Sequence, residues 1–335
     1  MRFRWLVPAA ALALTVAGCG NTEVSAAGDA EVAFSIRTLD DRSQSLQAIL
    51  VEQQAQARGV DLLPVVNANG DPAKQNQDVK TALSRGVKGL IINPLDGAAI
   101  VPAVEEANEA GVSVVTIDSS ASGGQVAMAV QADNRQLGAQ ACEAIGSALH
   151  GQGAVLNLQG DLAGNVGVER SAGFTDCIAE KFPGINVVSK QMEWSPEKCA
   201  EVAQTVLSTT DIDAVYSASE IICLKPVSNA LRSVGRLAPL GAANHVPFVA
   251  IDGSSQGLDA VRDGVLDGLI SQPRDRYAQA AVYWIDRAMN QLPIQEGPTP
   301  HGSEVAEIDG AYVDNIPAPM VTKANVDEPS LWGNQ

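Results

Sequence analysis

The 335-residue chain is poor in rings and in positive charge. Aromatic residues make up 4%, and 22 Lys plus Arg stand against 39 Asp plus Glu, for a formal net charge of −17 at pH 7. So acidic a body argues against nucleic acid as a partner, because phosphates demand a basic face. His150, His245 and His301 are scattered, with no nucleophile or metal ligand close in sequence. None of the cysteines has the CxxC spacing of a zinc site, so neither a metal nor another cofactor is expected. "GDLAGNVGVERSAG" (160–173) does not fit GxGxxG, and "DGSSQG" (252–257) lacks the GxSxG elbow. No nucleophile–base pair stands out, and an enzyme is not expected. Beyond the N-terminus, no apolar run approaches the ~20 residues that cross a bilayer as a helix.

What is present begins with "MRFRWLVPAAALALTVAGC": Arg2 and Arg4, an apolar segment, then small residues before Cys19. This reads as an export signal over residues 1–18. "VAGC" resembles the lipobox of bacterial lipoproteins, which implies cleavage before Cys19 and acyl chains on its sulfur. Several chains make anchoring stable where one is marginal. Residues 19–30, small and polar, then form a tether. The expectation is an exported protein, lipid-anchored to the cell membrane and facing its extracytoplasmic side. Four further cysteines, Cys142, Cys177, Cys199 and Cys223, are either buried thiols or disulfides with three possible pairings.

From residue 31 apolar strands alternate with amphipathic helices. "EVAFSI" (31–36), "DLLPVV" (61–66), "GLIIN" (89–93), "VSVVTI" (112–117) and "VAMAV" (126–130) form one series. "AVLNLQ" (154–159), "INVVSK" (185–190), "AVYSA" (214–218), "FVAI" (248–251) and "GLISQ" (268–272) form a second. Helices are predicted over 44–59 and 71–86, the latter with Asp71 as cap, Pro72 at its first position and Gly86 at its stop. Continuous apolar strands separated by helices predict an α/β fold: two doubly wound parallel sheets in tandem. In such sheets ligands bind beyond the carboxyl ends of the strands. "VVTIDSS" (114–120) and "FVAIDGSS" (248–255) each end a buried run on a carboxylate, Asp118 and Asp252. Each acid either caps a following helix or faces a cleft, and two in matching places favour a shared cleft.

The stretch 69–118, "NGDPAKQNQDVKTALSRGVKGLIINPLDGAAIVPAVEEANEAGVSVVTID", together with "ADN" (132–134), "ERSAGF" (169–174), "FVAIDGS" (248–254) and "VTKANVD" (321–327), resembles the type I periplasmic solute-binding proteins of the ribose-binding group. The resemblance implies two lobes joined by a three-strand hinge: 31–131 plus 273–297, and 132–272 plus 298–323, with 324–335 as a tail. It implies capture of a small sugar or polyol between the lobes by a monomer, and delivery to the permease and ATPase subunits of an ABC importer. A receptor serving a membrane sensor is the alternative; an α/β enzyme or a transcriptional regulator fits less well.

Carried over residue by residue, the resemblance gives ligand-binding roles to Asn93, Asp118, Asp252, Gln272 and Trp194. Where the family has an aromatic platform this chain has "DRSQ", so Asp41, Ser43 and Gln44 become candidates, along with Ser119 and Ser219 in place of an arginine and an asparagine. Val168 and Ile251 stand where the family has an arginine and an aromatic. The expected pocket is thus short of arginines and has one ring, Trp194, which points to a neutral polyol or small sugar rather than a phosphate. In the sheet order that the resemblance implies, the helices of Cys142 and Cys177 are neighbours on one face. Those near Cys199 and Cys223 are neighbours on the other, giving the pairs Cys142–Cys177 and Cys199–Cys223.

Overall fold

The computed structural model describes Met1 and residues 32–40, 42–308 and 310–335. The export signal, Cys19, the tether and Asp41 lie outside the described residues. The first series runs β1 (Val32–Ile36), α1 (Arg42–Arg58), β2 (Val66–Asn67), α2 (Pro72–Ser84), β3 (Gly89–Ile92), α3 (Val101–Glu109), β4 (Ser113–Ile117) and β5 (Met128–Gln131). The second runs α4 (Asn134–Ala148), β6 (Gln152–Gln159), α5 (Asn165–Lys181), β7 (Gly184–Gln191), α6 (Pro196–Thr209), β8 (Ala214–Ser217), α7 (Glu220–Ser233), β9 (Phe248–Asp252), α8 (Ser255–Asp263) and β10 (Gly268–Ser271). The chain then returns through α9 (Arg274–Met289), β11 (Gly297–Pro298), β12 (Glu304–Ile308) and β13 (Ala311–Asn315), and crosses again into β14 (Met320–Val321).

These strands form two sheets, ordered β11-β12-β13-β5-β4-β3-β1-β2 and β14-β10-β9-β8-β6-β7. β1 to β5 pair in parallel, as do β6 to β10. The run 61–66 yields only β2 and a bridge from Val32 to Leu62, because Pro64 offers no ladder donor. α2 starts as its sequence dictates: the Asp71 side chain accepts from the amides of Ala73 and Lys74 at 2.8 and 3.2 Å.

The C-terminal fifth corrects two expected boundaries. Residues 298–315 do not belong with the second lobe: β12 and β13 form an antiparallel hairpin, and β13 pairs with β5, extending the first sheet. β12 leaves Glu304, Glu307 and Ile308 exposed and β13 carries the buried Asp314, so neither presents a continuous apolar run. The segment 324–335 is no free tail: Leu331 and Trp332 are buried against the second lobe, and Arg262 of α8 bonds to Asp327, Val326 and Asn334.

Three crossings join the lobes, at 131–134, 271–274 and 315–320. One apolar cluster runs through the hinge, from Phe34 and Val115 to Cys142, Tyr216 and Ile251. Two others fill the outer face of each sheet. Beside the third crossing, buried Asp314 accepts from Trp284 Nε1 at 2.6 Å and pairs with His301 at 2.7 Å. His245 pairs with Asp267 at 2.9 Å, so two of the three histidines are fastened to structural carboxylates. The disulfides are Cys142–Cys177, linking α4 to α5, and Cys199–Cys223, linking α6 to α7; their Cα atoms are 6.1 and 5.8 Å apart. Both lie in the second lobe.

Candidate ligand-binding cleft

The carboxyl ends of the parallel strands in both sheets open onto one cavity of about 690 Å³. Asp118, just past β4, and Asp252, the last residue of β9, both line it. Neither caps a helix that follows it in sequence: the cap of α8 is Ser254, whose hydroxyl accepts from the Gly257 amide at 3.1 Å. Both aspartates have positive φ, 69° and 144°, as do Glu193 and Trp194 on the cavity wall. Such backbone is costly for residues other than glycine and persists where the surroundings over-determine it.

In the first lobe, Asp118 Oδ2 accepts from Gln44 Nε2 at 3.2 Å and lies 3.0 Å from Arg274 Nη1. Gln44 is held in turn by Asn93, whose Nδ2 donates to Gln44 Oε1 at 2.7 Å. The Ser119 hydroxyl donates to the Pro94 carbonyl at 2.8 Å and lies 3.3 Å from Asn93 Oδ1. Burial alone would raise the Asp118 carboxyl, but Arg274, Arg170 and Arg37 outweigh it and hold the group below its ordinary range. Arg170 belongs to the second lobe, so this field acts across the cleft.

In the second lobe, Asp252 Oδ2 accepts from the Ser219 hydroxyl at 2.6 Å and the Ile221 amide at 3.2 Å. Its Oδ1 accepts from Gln272 Nε2 at 2.8 Å. Behind it, buried Glu220 accepts from the Ser254 hydroxyl and amide at 2.6 and 3.1 Å and does not line the cavity. Burial, then the Asp252 charge, pushes the Glu220 carboxyl up to about 7. Trp194 forms the aromatic wall, and the indole lies so close to Gly160 that a Cβ there would sit 2.1 Å from it.

The expected residues therefore divide. Ser43, Gln44, Asp118, Trp194, Ser219, Asp252 and Gln272 line one cavity, while Asn93 and Ser119 stand a layer behind, supporting Gln44. The segment 160–173 contributes Asp161, Ala163 and Gly164 from the turn before α5, and Val166 and Arg170 from α5 itself, to the wall.

The expectation of a pocket short of arginines is wrong. Arg37, Arg42, Arg170 and Arg274 all line it. Arg170 and Arg274 are each 3% exposed. Arg170 donates to Asn134 Oδ1 at 2.9 Å and the Ala218 carbonyl at 2.7 Å, and its guanidinium stands 6.0 Å from the Trp194 ring centroid. Arg274 Nε is buried with no acceptor among the described residues.

A lobed α/β body with paired carboxylates and guanidiniums at the strand ends defines a solute-binding protein, and comparison with known proteins agrees. The family model of the periplasmic binding protein domain matches residues 32–292. The ribose import binding protein RbsB of Escherichia coli (strain K12) is 30% identical over 294 residues, covering 87% of this chain and 93% of the relative. The xylitol-binding protein of Mycolicibacterium smegmatis is 26% identical over 326 residues, 96% of this chain and 86% of the relative. Among solved structures, an ABC transporter solute binding protein from Mycobacterium smegmatis with bound glycerol superposes with a TM-score of 0.76 at 24% identity, covering 88% of this chain and 94% of that one. The chain belongs to the periplasmic binding protein family, of type I and ribose-binding-like, and is a solute-binding protein rather than an enzyme.

Proposed function

We propose that the protein is the extracytoplasmic binding component of an ABC importer, capturing a small neutral sugar or polyol between its lobes. The observation that carries this reading is charge balance on the cavity floor: two buried carboxylates, Asp118 and Asp252, against two buried guanidiniums, Arg170 and Arg274. Carboxylates accept and guanidiniums donate, and a ligand hydroxyl does both, so a neutral polyhydroxylated solute satisfies each group. An anion would leave the carboxylates opposed to it, and the remaining wall adds four acids, Asp40, Asp96, Asp161 and Glu193, against two arginines, Arg37 and Arg42. Relatives named for ribose and for xylitol support a ligand of this class.

The bound state closes about the three crossings, burying the solute against Trp194. Permease and ATPase subunits then accept it, and the protein acts as a monomer. An acyl anchor on Cys19, with residues 19–30 as tether, holds the lobes at the membrane; the "VAGC" motif supports this.

A thermal-shift screen of D-ribose, xylitol, myo-inositol and ribose 5-phosphate tests the reading, since a solute bound only by the folded form raises Tm. At least one neutral member is expected to raise it and the phosphate to do nothing. Calorimetry on Asp118→Ala and Asp252→Ala should then show each costing a few kcal/mol, because the ligand's donors are left unpaired in a closed cleft. A shift with the phosphate alone would sink the neutral-ligand assignment.

A further inference from the structure

The final residues of the chain touch the binding apparatus from behind. Trp332 is 9% exposed, and its Nε1 donates to the backbone carbonyl of Asp252 at 3.1 Å. The same carbonyl accepts from the Gln272 amide at 2.8 Å. Asp252 is the residue at φ 144°, followed by Gly253 at 98°, so the turn between β9 and α8 is held in backbone that an unaided chain would leave. Gly333 presses on this turn: a Cβ there would lie 2.5 Å from the Gly253 carbonyl oxygen. Arg262 and Asn334 fasten the segment to α8, which begins directly after the turn.

We propose that Trp332 is a positioning residue for ligand capture, holding the Asp252 carboxylate in the cleft through its backbone carbonyl. The proposal rests on the reading of Asp252 as a ligand-binding group. Trp332 does not line the cavity, so it acts only through Asp252. Its indole N–H is a buried donor that needs an acceptor, and the Asp252 carbonyl supplies it. With that bond lost, the turn is free to relax, and the carboxylate moves from Ser219, Ile221 and Gln272, its fixed donors.

The test uses Trp332→Phe, which keeps a ring in the core and removes the N–H. In the ligand-free full chain, amide hydrogen exchange at Ile221 and Gln272 is expected to quicken tenfold or more, with the amides of β1 unchanged. For whichever of D-ribose, xylitol and myo-inositol binds the wild type, affinity should fall about fivefold. That loss should vanish when Trp332→Phe is made on Asp252→Asn, because the two changes act on one group. Gly333→Ala should reproduce the exchange pattern, and it decides the matter should Trp332→Phe fail to fold. Unchanged exchange at Ile221 and Gln272, or an equal rise at every core amide, overturns the proposal. An equal affinity loss on both backgrounds does so too. If no sugar binds the wild type, the ligand reading fails and exchange alone decides the role of Trp332.

Discussion

The first lobe holds Asp118 with a guanidinium and an amide, whereas the second holds Asp252 with a hydroxyl, a backbone N–H and an amide. Asp118 is therefore tied to a charge whose own partner it is. Asp252 instead sits beside a second acid, Glu220, which burial and that neighbour keep near neutrality. The lobes differ in walls as well: Arg37, Asp40, Arg42 and Asp96 face the cavity from the first, whereas the second sets Val166, Trp194, Ile221 and Ile222 among Asp161, Arg170 and Glu193. Among the described residues, the disulfides both lie in the second lobe. A ligand gripped between them meets a mostly polar face on one side and, on the other, a mixed one that carries the indole and the branched aliphatic groups.

The sharpest way to break this asymmetry is Arg274→Gln. Removing one partner of a buried ion pair leaves the other charge uncompensated, at about 3–5 kcal/mol. Chemical denaturation should show a loss of that size, with ligand affinity falling alongside. A loss under about 1 kcal/mol would mean that Arg170, Arg37 and solvent, not Arg274, neutralise Asp118. Next comes reduction of the second lobe's cross-links. Cys199→Ser with Cys223→Ser should cost about 2–4 kcal/mol, as should the Cys142 and Cys177 pair. Differential scanning calorimetry should place the loss in the second lobe, leaving Arg274 and its lobe the more stable part.

Much of this architecture could be read from the chain because its central strands are buried on both faces and so appear as unbroken apolar runs. The hairpin of β12 and β13 escaped that signal, since Glu304, Glu307 and Ile308 of β12 are exposed and Asp314 interrupts the apolar residues of β13. The cleft was legible where a strand ends on a polar residue, as at Asp118 and Asp252. It was less so where a helix supplies the group. The family resemblance drew attention to Val168, which is 46% exposed, but on α5 the residues facing the cavity are Val166 and Arg170, one turn apart. Helical spacing applied to "NVGVERSAG" could have found Arg170. Arg274 follows a crossing, and Trp332 lies in a polar end segment; only its being a lone ring there hinted at burial.

The two acids also give the lobes opposite pH responses. Asp118 is held below its ordinary range, so its contribution to stability is present at neutral pH and is lost as pH falls through that lowered value. Glu220 runs the other way. Its folded carboxyl sits at about 7 against an ordinary 4.5, so the folded state binds the proton more tightly. That contribution is complete below 4.5, declines as pH rises and is gone above about 7. Glu220→Gln should remove the decline, worth at most about 3 kcal/mol. Denaturation midpoints from pH 5 to 8 would read it; parallel wild-type and variant curves would place Glu220 in a wetter site.

The smallest expected effect separates support from contact. Asn93 reaches the ligand's side of the first lobe only through Gln44, fixing the amide so that its Nε2 points at Asp118. Asn93→Ala leaves Gln44 Oε1 without that donor and frees the amide to turn. The cost to ligand affinity should be about 1 kcal/mol, the net worth of one neutral hydrogen bond. On an Asp118→Ala background it should shrink, since the amide then has no carboxylate to address. Were Asn93→Ala as damaging as Asp118→Ala by calorimetry, Asn93 would touch the solute itself. The closed cleft would then bring the layer behind Gln44 into contact, and the first lobe would grip its ligand through side chains alone.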